Sequence, residues 1–405
     1  MTQAPPIKSA RYRRGSRALL GASGMSSIGD GAFLAAVPLA AAAITKDPTA
    51  VSIITAAEFA PWIAITPIAG VYVDRWPKRT VMVLADILRF GAVLVLAALI
   101  AAGAASIPLL AITAFLMVTG TAFHSTASEA AIADLTARDP KLLHDLNGKL
   151  YSANVLGKQL GGPPLGSALY AITAWIPFVV NAISFLLSAL MLIRLPRLPR
   201  TEPTERESML AAMKTGAKFL LAHPELRNLC LLTAIANLTA NMGLATFVLY
   251  ATAPGGLDVP TAAYGALLAA MAIGGVLGGW ITKHAITKLG RRRAFLAGLA
   301  VEVAMWAILP ATTSPIVAGI ALAVGNLGVS LVSVIIMGAR QQLTPEHLLG
   351  RVINAYRIVG NGAAPIGAIL GGVIATIGGL RAPMITAAVI LLASVIFALR
   401  VIPRE

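Results

Sequence analysis

Of the 405 residues, 57% are hydrophobic and only 12% are charged, whereas soluble domains carry about 45–50% apolar and about 25% charged residues. This composition excludes an ordinary water-soluble enzyme, because a soluble chain of this length needs charged surface to cover its domains. The net charge of +15 would suggest a nucleic-acid partner in a soluble protein, but in a membrane protein it indicates loops of unequal charge on the two sides.

Twelve apolar stretches are long enough to cross a bilayer, because a spanning helix needs about 20 mostly apolar residues. The first follows a basic cluster like that of a signal peptide, but its apolar run is too long and lacks a convincing cleavage site. The pattern predicts an all-α membrane protein with twelve transmembrane helices. In chain order the predicted spans cover residues 18–43, 50–72, 80–102, 107–131, 149–173, 175–194, 228–251, 263–282, 293–312, 315–338, 352–376 and 381–402.

Lys and Arg are concentrated in alternate loops. They are abundant in the long polar loop over residues 194–227, whereas the loops on the other side offer only Lys46 and Arg381. Positive loops stay on the cytoplasmic side of a membrane. The distribution therefore predicts that both termini and the long loop are cytoplasmic, in a bacterial cytoplasmic membrane.

The long loop separates two groups of six spans whose sequences resemble each other. Leu146 to Leu150, followed by Gly157, Pro163 and Gly166, recurs as Leu349 to Val352, followed by Gly360, Pro365 and Gly367. Two pseudo-symmetric six-helix halves that rock against each other are typical of many secondary transporters. The predicted parts are a cytoplasmic tail (1–17), a first half (18–194), a cytoplasmic linker (195–227), a second half (228–402) and a second tail (403–405).

A charged loop follows the second span. Its Gly70 would let a neighbouring helix approach, and Asp74 can accept hydrogen bonds at a helix N-terminus. The pattern resembles the signature loop between helices 2 and 3 of the major facilitator superfamily. That resemblance implies a conformational latch, here called the gate motif, formed by Gly70, Asp74, Arg75 and Arg79. An ordinary basic turn is the alternative.

Other charged residues are interpreted as partners of this loop. Asp86 and Arg89 lie three residues apart shortly after the basic turn, and Glu129 is near the cytoplasmic end of the fourth span. We expect them to pair with Arg75 rather than to bind substrate. Glu302 holds a position close to that of Asp86 in the second half. Its expected partners are Lys283 or the run Arg291 to Arg293.

The fifth span carries a glycine and proline motif that resembles the antiporter motif of drug exporters. Glycines four residues apart let two helices touch, and proline bends a helix by removing a hydrogen bond. The match is out of register by one residue, and Ser167 replaces its last glycine. Ordinary close helix packing is the alternative. The residues of this antiporter-like motif are Gly157, Gly161, Gly162, Pro163 and Gly166.

The resemblance covers nearly the whole chain. Gly29 and Asp30, Asp86 and Arg89, and the segment Arg340 to Arg351 resemble the branch that includes macrolide efflux proteins and the enterobactin exporter. This implies export of small molecules in exchange for protons. The fourth span departs from the pattern, because it lacks the Arg that many proton-coupled relatives place there.

Three charges remain deep within the spans. Asp30 lies about 18 Å into the first span, and Glu58 lies about 12 Å into the second from the other side. Lys158 could reach the same level with its long stem. A charge at the bilayer centre costs about 2.5–3.5 kcal/mol, so each needs a partner, a proton or water. We predict that Asp30 is the main proton-binding site, with Glu58 as a second carrier or as the group that meets a cationic substrate, and Lys158 as a modulating charge. A fixed ion pair of Asp30 or Glu58 with Lys158 is the alternative.

Polar and aromatic residues recur at helical spacing on several spans. In the superfamily, helices 1, 4, 7 and 10 line a central cavity, and a mostly apolar pocket with a few polar groups suits an amphipathic compound. Ser and Asn can instead join helices, His124 can be a packing residue, and the aromatics can form an interfacial belt. The predicted cavity residues are Phe33, Phe59, Trp62, Thr121, His124, Asn237, Asn241, Asn326 and Ser330.

These features predict a proton-coupled exporter of a small amphipathic compound, such as a drug, a natural product or a siderophore. No nucleotide-binding loop, metal-ligand set or catalytic triad stands out. We therefore expect a monomer in the lipid bilayer that is not an enzyme and has no cofactor, nucleotide or nucleic acid. An importer or lipid mover of the same fold is the alternative within transport; a non-transporting scaffold or sensor is the alternative outside it.

Overall fold

A computed structural model describes residues 10–65, 69, 72–73, 75–196 and 209–401. In this part of the chain all regular secondary structure is helical, which confirms the all-α class. Ten of the described helices are long and apolar enough to cross a membrane. The count of twelve and the orientation of the termini stay predictions.

The second and fifth predicted spans are not among these ten helices. Helix α2 (Pro48–Ala64) has 17 residues, and several of the residues that should extend it lie outside the described ranges. The fifth span is divided between helix α5 (Pro140–Asn154), a π-helical segment (Val155–Gly161) and helix α6 (Gly162–Ile172). Each of these pieces is short by itself.

The chain forms two compact units. The first contains residues 1–40 and 64–205, and the second contains residues 41–63 and 206–405. Helix α2 therefore groups with the second unit, although the sequence places it in the half formed by residues 18–194. Thr49 and Ser52 explain this grouping, because they contact helix α14 (Glu346–Gly378).

The first unit consists mainly of long helices around an apolar core. Its helices are α1 (Ala10–Ile44, to residue 40), α3 (Lys78–Ala101), α4 (Ile107–Leu135), α5, the π segment, α6 and α7 (Ile176–Ile193). Helix α3 packs against α4 and α7. At its start, Lys78 pairs with Asp134 of α4, and Arg79 donates hydrogen bonds to the carbonyls of Ile193 and Leu195 at the end of α7. A cation is favourable at a helix C-terminus.

The second unit repeats this arrangement. Its helices after residue 206 are α8 (Met209–Ala222), α9 (Pro224–Leu244), α10 (Phe247–Thr252), α11 (Tyr264–Leu289), α12 (Arg291–Ile308), α13 (Pro315–Leu343), α14 (Glu346–Gly378) and α15 (Ala382–Val401). Helix α12 packs against α13 and α15, and Arg292 donates to the carbonyl of Leu399 near the end of α15. Arg292 thus has the role in this unit that Arg79 has in the first, which supports the predicted internal repeat.

Small residues also hold equivalent helices together in the two units. A Cβ at Gly166 of α6 would collide with the backbone of Ala32 in α1. A Cβ at Gly367 or Gly371 of α14 would collide with the backbone of α9. Close backbone contact at small residues is a common way to join membrane helices, and here it joins the first and fifth helices of each predicted half.

Candidate functional site

A cluster of charged and polar side chains lies inside the first unit. Asp86 of α3 is fully buried, pairs with Arg89 and accepts a hydrogen bond of 2.6 Å from Ser188 of α7. Arg89 donates to Thr121 of α4 at 3.4 Å, and its guanidinium carbon lies 4.2 Å from the ring centroid of Phe185. A buried ion pair is tolerated only when further contacts satisfy its charges. This one has such contacts on two neighbouring helices, and within the pair only the Nε atom of Arg89 is without a hydrogen-bond partner among the described residues.

His124 and Asp30 extend the cluster. The Nε2 atom of His124 is 3.8 Å from the Asp86 carboxylate and, among the described residues, has no hydrogen-bond partner. The carboxylate of Asp30, which is partly buried on α1, lies within electrostatic range of His124. The structure thus brings together Asp30, Asp86, Arg89, Thr121 and His124, which we call the buried charge cluster.

The cluster places a positive charge beside the fourth span, and this charge comes from a neighbouring helix. The sequence shows no Arg in that span, but Arg89 reaches it from α3. Gly120 makes this possible, because a Cβ at this position would meet the stem of Arg89. The sequence analysis missed Gly120, Ser188 and Phe185; a glycine directly before Thr121 was the one signal that could have pointed to Arg89.

The gate motif is only partly described. Gly70 and Asp74 lie outside the described residues. Arg75 and Glu129 have exposed side chains, while Asp86 bonds to Arg89 and Ser188 instead of to Arg75. The expected pairing of Asp86 with Arg75 is therefore corrected: three residues separate Asp86 from Arg89 on one helix, which places both on the same face.

The π-helical segment explains the irregular antiporter-like motif. A π turn holds one more residue than an α turn, so Gly157 and Gly162, five residues apart, face the same side. A Cβ at Gly157 would meet Ser27, and one at Gly162 would collide with Gly31 of α1. The expected contact pair with four-residue spacing was Gly157 and Gly161, but Gly161 is exposed. The extra residue of the π turn therefore accounts for the one-residue shift between this motif and the antiporter motif.

The deep charges do not form the fixed ion pair that we considered. Among the described residues, Lys158 of the π segment makes no ion pair with Asp30, and both side chains are partly buried. Glu58 of α2 is also partly buried, in the second unit. Its proton-carrying role remains a prediction.

Several predicted cavity residues join helices instead. Phe33 is 7% exposed and packs edge-on against Phe178 of α7, so it lies in the core of the first unit where we expected a cavity wall. Asn237 of α9 donates to the carbonyl of Gly360 in α14 at 2.9 Å, and Asn241 donates to Asn237 on its own helix. The contact of Asn237 favours the helix-joining alternative for that residue, whereas the bond of Asn241 stays within α9.

The remaining cavity residues lie in the second unit. Asn326 and Ser330 of α13 lie beside Gly275 and Gly279 of α11 at ordinary contact distance. Phe59 is partly buried, and Trp62 is 39% exposed on α2. Trp62 is therefore the most accessible of the predicted aromatic positions.

Deletion of Gln159, an exposed residue of the π segment, is expected to stop transport while leaving the protein folded. The deletion turns the π turn into an α turn and keeps Gly157 and Gly162 on the face toward α1, but it removes the irregular segment where the helix can bend. Thermal unfolding in detergent and vesicle transport measure the two effects. Gln159→Ala, which keeps the chain length, is the control; a deletion variant as active as that control would rule out this role.

A family model and two known proteins each match most of the chain. A family model described as Major Facilitator Superfamily matches residues 19–365 and 257–405. The chain is 28% identical over 340 residues to the multidrug efflux pump Tap of Mycolicibacterium fortuitum, with 82% of each chain covered. It is 26% identical over 384 residues to YfiS of Bacillus subtilis (strain 168), described as an uncharacterized MFS-type transporter, with 90% of this chain and 88% of that one covered.

Solved structures show the same fold at low identity. A bacterial homologue of the iron transporter ferroportin, in an inward-facing state, matches 98% of this chain and 100% of its own with a TM-score of 0.77 and 16% identity. The nucleoside transporter NupG matches 98% of this chain and 100% of its own with a TM-score of 0.74 and 9% identity. At these identities the likeness concerns the fold and not the substrate.

Proposed function

Because the chain belongs to the Major Facilitator Superfamily, whose members are multi-pass membrane transporters, we propose that it exports a small amphipathic organic compound across the bacterial cytoplasmic membrane in exchange for protons. The direction is supported by the similarity to Tap, a multidrug efflux pump, along 82% of the chain. The proton as coupling ion is supported by one observation above the others, the buried charge cluster around Asp30 and His124.

Of the two acids in the cluster, Asp86 has fixed partners and Asp30 has no ion pair in the described part of the chain, and this difference suits proton exchange. Asp86 is neutralised by Arg89 and by the hydrogen bond from Ser188, so it is committed to the structure. Asp30 has no such ion pair among the described residues, and the Nε2 atom of His124 accepts or donates no hydrogen bond there. A membrane-buried ionisable group with a changing environment can carry a proton through the cycle. Asp30 is therefore the proposed carrier, with His124 beside it.

Glu58 is the second proposed carrier or the group that meets a cationic substrate. It lies on α2 one turn before Trp62 and next to Phe59. An acidic group beside aromatic rings suits an amphipathic cation, because rings attract cations through their faces. Lys158 remains the proposed modulating charge.

Asp30→Asn is expected to reduce proton-driven transport to the level of vesicles without the protein. The amide keeps the size of the side chain but cannot release a proton. Inside-out vesicles energised with a proton gradient, with ethidium as a fluorescent amphipathic cation, measure this directly. Asp145→Asn, which neutralises an exposed acid on α5 of the same unit, is the matched control and should transport like the wild type.

The other outcomes discriminate between functions. Ethidium transport by Asp30→Asn that still collapses with a protonophore would remove Asp30 from the coupling step. Transport out of the vesicles rather than into them would indicate the importer alternative, and movement of labelled lipid alone would indicate a lipid mover. Failure of the wild type to move any of a chemically varied panel would favour a scaffold or sensor.

A further inference from the structure

Glu302 is a carboxylic acid in the interior of the second unit. It lies on α12 eleven residues after Arg291, about 17 Å along the helix, and is 2% exposed. Its neighbours on the same face are Gly298 and Met305, which contact Gly328 and Gly325 of α13. The carboxyl group therefore lies among tightly packed apolar residues, six residues or about 9 Å before the end of its helix.

Two of the partners expected from the sequence are engaged elsewhere, and the other two, Lys283 and Arg293, have exposed side chains. Arg291 pairs with Glu225 of α9 at 2.9 Å, and Arg292 donates to the carbonyl of Leu399. Among the described residues, Glu302 has neither a hydrogen bond nor an ion pair. The expectation of a basic partner for Glu302 is therefore corrected. It differs in this respect from Asp86 of the first unit, which has Arg89 and Ser188.

The helices around Glu302 bring no charge to its level. Gly325 and Gly328 lie beside it on α13, and Arg340 follows Gly328 by twelve residues, about 18 Å along the helix. The other titratable or charged groups of the helices packed around α12 lie near helix ends or at other levels: Arg400 on α15, Lys283, His284, Lys288 and Tyr264 on α11, Glu225, Arg227 and Cys230 on α9, and Tyr250 on α10, whose hydroxyl donates to the carbonyls of Leu309 and Thr312. An ionised Glu302 would therefore be an uncompensated buried charge, which is strongly unfavourable.

A second polar group beside Glu302 is also without a partner. The indole Nε1 of Trp306, four residues later and one turn along α12, is buried and makes no hydrogen bond within the described part of the chain. Its ring packs against Gly243 of α9. An unbonded acceptor and an unbonded donor thus lie one turn apart in the interior of the second unit.

We propose that Glu302 is a second proton-binding site, which holds its proton in the conformation described here and exchanges it when the interface of α12 with α13 opens to water. Its binding of a proton follows from the packing alone. Its part in the transport cycle rests on the proposed function, in which protons drive export. The two units would then each contribute a proton-binding acid, Asp30 in the first and Glu302 in the second.

Infrared difference spectroscopy of the full-length protein in lipid tests this assignment. The spectrum of the wild type minus that of Glu302→Gln should contain the carbonyl stretch of a protonated carboxylic acid at neutral pH. That band should shift in heavy water and disappear reversibly at alkaline pH. Glu129→Gln, which changes an exposed acid, should give no such band under the same conditions.

Each possible result either supports or overturns the proposed proton-binding role of Glu302. Absence of the band, or a band that neither exchanges nor titrates before the protein unfolds, overturns it and leaves Glu302 ionised or merely structural. In vesicles, Glu302→Gln should lose proton-driven ethidium accumulation but keep ethidium exchange at zero gradient; unchanged accumulation would exclude a role in the cycle. If the wild type transports nothing while the band titrates, the proposed export function fails and the proton site stands.

Discussion

Joining Thr49→Cys to Thr376→Cys by a disulfide is expected to abolish transport, and reduction is expected to restore it. The hydroxyl oxygens of these two residues are 2.9 Å apart, and one turn away Ser52 of α2 packs against Gly372 of α14. The two helices belong to different halves of the sequence repeat. If transport proceeds by rocking of one half against the other, this contact has to open in every cycle.

Native cysteine should interfere little with the disulfide experiment. The one cysteine of the chain, Cys230, is buried, so oxidation should join only the introduced pair. Thr233→Cys with Gly360→Cys is the matched control, since a Cβ at Gly360 lies 3.3 Å from the Thr233 methyl group and both helices belong to the same half. That disulfide should leave transport intact. Transport by the oxidised Thr49 and Thr376 pair would show that the contact stays closed throughout the cycle.

The sequence predicted the helices well because apolar length is a local property. The predicted spans that start near residues 80, 107 and 315 coincide with α3, α4 and α13 to within a few residues at their starts. The proximity of Asp30 to the fourth span followed less directly, from the resemblance to a family in which the first and fourth helices share a cavity.

Other features depend on how helices face each other, which apolar periodicity does not encode. The pairing of Asp86 with Arg89 rather than Arg75 depends on the space that Gly120 leaves on α4. The π turn at 155–161 could be noticed only as a motif shifted by one residue. The grouping of α2 with the second unit depends on contacts of Thr49 that lie more than 300 residues away along the chain.

One type of bond recurs at the same place in the two units, whereas the chemistry of the two interiors differs. Arg79 and Arg292 make the same bond to the end of the last helix in their half. In the first unit, however, the third helix carries an acid with a complete set of partners, whereas in the second unit the corresponding helix carries Glu302 without one. The two units thus share a bond that fixes a helix end, while their buried acids differ in their partners.

Arg89→Leu is expected to destabilise the protein by about 3–5 kcal/mol, because removing one partner of a buried ion pair leaves the other charge uncompensated. Asp86 is fully buried, and without Arg89 it keeps only the hydrogen bond from Ser188 at 2.6 Å and the neighbouring His124. Thermal unfolding and the yield of monodisperse protein in detergent measure this loss. Lys149→Ala, which removes an ion pair to Asp145 between exposed side chains, is the control and should unfold like the wild type.

The double variant Asp86→Leu with Arg89→Leu separates stability from coupling. Replacing both partners of a buried pair by apolar residues is often neutral or stabilising, so the double variant should recover most of the stability that Arg89→Leu loses. If the pair only holds α3, α4 and α7 together, transport should recover as well. If it also sets the electrostatic environment of His124 and Asp30, the folded double variant should lose proton-driven ethidium transport or shift its pH profile. A double variant as unstable as Arg89→Leu would show that the cost arises from lost packing against Phe185 and not from the unpaired carboxylate.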